Sequence, residues 1–77
     1  MKTRSRIRRF IVEDLLEERP VGDPLAQDML DSLAIEQLVA FCQEEFDVTF
    51  RDTDLVARNF ESLGAVASLV DRKRREA

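Results

Sequence analysis

The chain predicts an all-α domain, a small bundle of four helices of which three are longer and one is short. Three observations point there. Apolar residues recur at three- and four-residue spacing in three separate stretches. Only two glycines and two prolines punctuate 77 residues, which leaves few turns. The one stretch with strand propensity, Val48-Thr49-Phe50, has no second strand to pair with and reads as a loop with two anchoring apolar side chains.

The first helix is expected from Thr3 to Glu18, with Ile7, Phe10, Ile11, Leu15 and Leu16 on one face. Arg19-Pro20-Val21-Gly22-Asp23-Pro24 ends it, because each proline disfavours helix at the residue before it. In the loop that follows, Leu25, Met29 and Leu30 are apolar and are expected to pack on the core. The second helix begins at Ser32 as its N-cap and ends near Phe46-Asp47. Its stripe is Ile35, Leu38, Val39, Cys42 and Phe46. A short third helix spans Asp52 to Ala57, with Leu55 and Val56 inward. The fourth starts near Ser62 and runs past Val70, with Leu63, Val66, Leu69 and Val70 inward. Residues 1–77 make one domain, with frayed basic ends at 1–4 and 72–77.

Composition excludes several classes of function. Histidine is absent and Cys42 is the one cysteine, which rules out a Cys/His zinc site, a Ser-His-Asp triad and a Cys-His pair. A chain this short buries about 60–65% of its unfolded surface, which argues against a deep catalytic cleft. No apolar run approaches the roughly 18 residues that span a membrane. The N-terminal apolar stretch is broken by Glu13 and Asp14, unlike a signal peptide, so the expected location is the cytoplasm.

The net charge of −4 is unevenly spread. Lys2, Arg4, Arg6, Arg8 and Arg9 crowd the start, and Arg72, Lys73, Arg74 and Arg75 the end. Residues 10–71 carry 15 acidic side chains against Arg19, Arg51 and Arg58. Such a middle repels nucleic acid and favours basic protein partners. The basic end of the chain lies at a helix C-terminus, where positive charge is favoured. The basic start lies at the opposite, unfavourable end, and the dipole does not explain it.

The residue pattern most able to support chemistry is Asp31-Ser32-Leu33. A serine at a helix mouth exposes its hydroxyl where backbone N–H groups and the dipole favour a phosphate. Taken alone, Ser32 is more readily an ordinary helix cap, the commonest reason for serine at that position. The wider pattern is Leu30-Asp31-Ser32-Leu33, then Ala34-Ile35-Glu36-Gln37-Leu38-Val39, then Glu44-Glu45-Phe46-Asp47-Val48. With Asn59-Phe60-Glu61-Ser62-Leu63, Ala65 and Val66, it resembles the acyl and peptidyl carrier proteins of fatty acid, polyketide and nonribosomal peptide synthesis. The resemblance covers residues 5–71.

The resemblance implies a four-helix bundle of the acyl-carrier type with Ser32 carrying 4′-phosphopantetheine. A phosphopantetheinyl transferase, using magnesium and coenzyme A, would attach the group. A loading ligase or acyltransferase would charge its thiol, and downstream biosynthetic enzymes would consume the thioester. The chain itself would catalyse nothing. Asp31, Leu33, Glu36, Gln37, Ala40 and Glu44 would form the partner-docking face, with Glu36 and Glu44 meeting basic residues. The stretch Met29-Leu30 stands where many carriers have glycine, and Leu-Asp-Ser-Leu is similar to free-standing carriers of specialised pathways. A free-standing monomer, without nucleic-acid or membrane partners, is therefore expected.

Each residue also has a plainer reading. Glu36, Glu44 and Glu45 equally suit a solvated helix face. Cys42 is a small core side chain, and the five phenylalanines are core filling. Phe10, Phe41 and Phe46 are expected to fill the space between helices and so leave little shelter for cargo. Two rival functions follow from other features. The N-terminal arginines could form a phosphate-binding arm. A non-catalytic helical adaptor would bind a protein partner through an acidic amphipathic face.

Overall fold

Ile7 and Ile11 lie one helical turn apart and both are fully buried, which fixes the inward face of the first helix. Burial of each contributes about 1.5–3 kcal/mol. The structure, a computed structural model, describes residues 2–16 and 20–76. Helix α1 spans Thr3–Phe10 and continues as one π-helical stretch, Ile11–Leu15, closed by the Leu16 N–H donating to Ile11 O at 3.0 Å. The expected last turn at Glu17 and Glu18, the break at Arg19, and the limits Met1 and Ala77 lie outside the described residues.

Helix α2 spans Ser32–Phe46 and helix α3 spans Leu63–Glu76. Between them stand two 3-10 turns, Asp52–Asp54 and Ala57–Phe60. No strand occurs among the described residues. The result is a small all-helical bundle in which α1 packs against both other helices. Leu38 and Cys42 of α2 and Leu63, Val66, Leu69 and Val70 of α3 complete the core with Ile7 and Ile11.

The connections are held by side chains. Arg8 donates to Gly22 O at 3.2 Å and to Pro20 O at 3.0 Å, fastening the loop to α1. Gly22 turns there at φ +91°, a conformation that disfavours a side chain. Leu25 is buried and Leu30 half-buried, but Met29 is exposed rather than packed. Asp47 ends α2 in the left-handed conformation, and the Val48 N–H donates back to Gln43 O at 3.2 Å. The Gln43 side chain then accepts from the Phe50 N–H at 3.0 Å. Val48 and Phe50 are thereby set inward, as the two expected anchors.

The expectation for residues 52–57 is corrected. The short third helix over Asp52–Ala57 is replaced by the two 3-10 turns, and Leu55 and Val56 between them are exposed, not inward. Asp54 accepts from the Arg51 N–H at 2.8 Å, and the Asn59 side chain donates to Asp54 O at 2.8 Å. The first is a capping-box bond that starts the turn, and the second takes up a carbonyl that a continuous α-helix would use. Within the basic ends, Thr3 and Arg4 belong to α1, and residues 72–76 to α3. The Thr3 hydroxyl donates to Asp71 at 3.0 Å, and Lys73 pairs with Asp54 at 2.7 Å.

Candidate functional site

The mouth of α2 is built by Asp31, not by Ser32. Asp31 has extended backbone, its Oδ1 accepts from the Ala34 N–H at 2.8 Å, and its carbonyl accepts from Ile35 at 2.9 Å. That corrects the expectation of Ser32 as N-cap: aspartate and serine are comparably good caps, and the one lying a residue earlier holds the position. Ser32 becomes the first residue of the helix. It is exposed, and its hydroxyl makes no hydrogen bond to protein among the described residues. The amides of the first turn that Asp31 does not satisfy have no intrahelical acceptor. An exposed hydroxyl therefore stands beside free donors at the positive end of a 15-residue helix.

Asp31, Leu33, Glu36, Gln37, Ala40 and Glu44 are all exposed along α2. Leu33 is 63% exposed next to Ser32, an apolar side chain left in water. Glu45 behaves differently, because it forms an ion pair with Arg6 of α1. Ile35 and Val39 are half-buried rather than buried. They form one wall of a groove of about 780 Å³ that runs between α2 and the 3-10 segment. Leu25, Leu30, Leu55 and Phe60 add apolar lining, and Asp28, Glu36 and Glu61 supply carboxylates at the same groove.

Sequence reasoning missed this groove. The three phenylalanines expected to fill such a space pack elsewhere. Phe10 stacks on Phe41 with ring centroids 4.1 Å apart, and Phe41 meets Phe46 edge-on at 6.1 Å. None of the three lines the groove.

Cys42 is fully buried, and desolvation pushes its thiol up to about 12. It is therefore a neutral core side chain at physiological pH. No helix among the described residues is long and apolar enough to cross a membrane. No protein-family model matches the chain, and no curated protein matches its sequence.

Proposed function

We propose that the chain is a carrier protein whose Ser32 hydroxyl bears 4′-phosphopantetheine. The observation that carries this reading is the placement of Ser32: exposed and unbonded at the first turn of α2, with Asp31 taking the cap. The residues present fit such a group. A phosphodiester on Ser32 would meet the positive helix end and its free amides, and Leu33 would lie beside the emerging arm. When bound, the arm supplies a thiol that holds an acyl or aminoacyl group as a thioester.

In the transferase reaction, Ser32 Oγ would attack the β-phosphorus of coenzyme A. The serine loses its proton, and adenosine 3′,5′-bisphosphate leaves. The catalysis belongs to the transferase, and Ser32 contributes the nucleophilic oxygen. Asp31, Glu36 and Glu44 would draw in the basic surfaces of the transferase, of a loading ligase or acyltransferase, and of downstream enzymes. Leu33 and Ala40 would supply apolar contact on the same face, with Gln37 between them. The 3-10 pair at 52–60 would stand for the short third helix of an acyl-carrier-type bundle. A tethered thioester reaches partner sites at high effective concentration, which a small domain achieves without catalytic groups of its own.

A second reading, a helical adaptor, is favoured by the groove beside α2, which would accept an apolar segment of a partner. Incubation with coenzyme A, magnesium and a broad-specificity phosphopantetheinyl transferase separates the two. A carrier gains one phosphopantetheine on Ser32, and an adaptor gains none.

A further inference from the structure

The two basic ends of the chain, 60 and more residues apart in sequence, meet in the fold. The Thr3 hydroxyl bonds Asp71, so the start of α1 lies against the second half of α3. Arg74 and Arg75 share the helix side of Asp71 by their three- and four-residue spacing. Arg6 and Arg74 both place a guanidinium over the Phe46 ring, at 5.5 and 5.9 Å from its centroid. Some of these cations are used internally, with Arg6 on Glu45 and Lys73 on Asp54 and Glu76. Lys2, Arg4, Arg72 and Arg75 are exposed and have no ion-pair partner among the described residues.

We propose that this end of the bundle is a second interaction surface, which takes a short acidic segment of a protein partner. Phe46 closes α2, and Ser32 opens it about 20 Å away along the helix. That separation exceeds the Debye length of roughly 8–10 Å, so the basic end is screened from Ser32 itself, while Glu44 at the far end of the acidic face lies within one turn of Phe46. Arginine forks match carboxylates in two-point contact.

Other anionic occupants fit less well. A membrane surface needs apolar anchors among the cations. Of the exposed large apolar side chains, Leu33, Leu55 and Val56 belong to the Ser32 and groove side, Met29 precedes α2, and Val21 alone stands on the loop fastened to Arg8. A nucleic-acid strand gains from stacking on exposed aromatic rings, and the five phenylalanines here are buried or half-buried. A long polyanion would also run on into the acidic middle of the chain. The inference stands apart from the carrier reading, since it uses no residue of the Ser32 face.

The test is fluorescence anisotropy with a labelled ten-residue glutamate peptide, titrated with the full chain at low salt. A single-stranded oligonucleotide and phosphatidylserine vesicles serve as competing probes. Replacing three exposed cations together, Lys2→Ala/Arg4→Ala/Arg75→Ala, should weaken peptide binding about fivefold or more. The control Arg51→Ala/Arg58→Ala should change it less than about twofold, and Ser32→Ala should leave it unchanged. Where the triple variant loses helicity by circular dichroism, Arg75→Glu alone replaces it, with loss of peptide binding again expected. Absence of peptide binding, an equal loss in the control, or tighter binding of the oligonucleotide or the vesicles would overturn the proposal.

Discussion

The Asp23 carboxylate joins the loop before α2 to the start of α3, its Oδ2 accepting from the Leu63 N–H at 2.9 Å. The other oxygen accepts from the Leu25 and Ala26 amides at 3.0 and 3.1 Å. One side chain thus satisfies donors in its own loop and a donor 40 residues further on, alongside Ser62, whose hydroxyl accepts from Ala65 at 3.0 Å. Asp23→Ala should lower the unfolding free energy by about 2 kcal/mol, the scale of lost hydrogen bonds to a charged acceptor. Urea denaturation measures it, and a change under about 0.5 kcal/mol would remove Asp23 from its tying role.

Asp31 as the cap of α2 predicts an asymmetry with its neighbour. Asp31→Ala should destabilise the chain by about 1 kcal/mol, and Asp31→Asn should restore most of it. Ser32→Ala should change stability by less than about 0.5 kcal/mol, because its hydroxyl bonds nothing in the fold. Thermal denaturation of the three variants checks this. A larger loss from Ser32→Ala than from Asp31→Ala would return the cap to the serine.

Burial of Cys42 predicts a silent thiol. The folded chain should fail to react with a disulfide reagent at mildly alkaline pH over a time in which the guanidinium-unfolded chain reacts completely. The raised thiol pKa and lack of access act in the same direction. Rapid labelling of the folded chain would contradict the burial.

The Asp54–Lys73 pair predicts a pH window. The Arg51 N–H first, and then the Lys73 ammonium, hold the Asp54 carboxyl below its ordinary range. The hydrogen bond to Asp54 in turn holds Lys73 above its own. A depressed carboxyl stabilises the fold above its ordinary range, and this is lost as pH falls through the lowered value. A raised ammonium stabilises below its ordinary range, and this is lost as pH rises through the raised value. The Tm gap between the parent and Asp54→Asn should therefore be widest near neutrality, close as acid protonates Asp54, and narrow as alkali deprotonates Lys73 while the Arg51 N–H bond remains. A gap that is constant with pH would mean the charge contributes nothing.

The three long amphipathic segments were legible because each carries its own periodicity, as Ile7-Ile11, Leu38-Cys42 and Val66-Val70 show. What was not legible depends on contacts far apart in the chain. The basic start made no sense as a helix end, and two of its arginines are explained by distant partners, Arg6 by Glu45 and Phe46 and Arg8 by the carbonyls of Pro20 and Gly22. The choice between Asp31 and Ser32 as cap was open because both have the chemistry. The segment 52–60 was misread because the Asn59 side chain bonds the Asp54 carbonyl, which an α-helix would have used. Its error hid the groove, since Leu55 and Val56 had been assigned to the core.

The carrier reading rests on one oxygen atom, and intact-protein mass spectrometry tests it directly. The chain is incubated with coenzyme A, magnesium and a broad-specificity phosphopantetheinyl transferase, with Ser32→Ala as control. The account predicts a gain of one phosphopantetheine that is absent from the variant. No gain by a folded chain, or a gain that persists in Ser32→Ala, would contradict it.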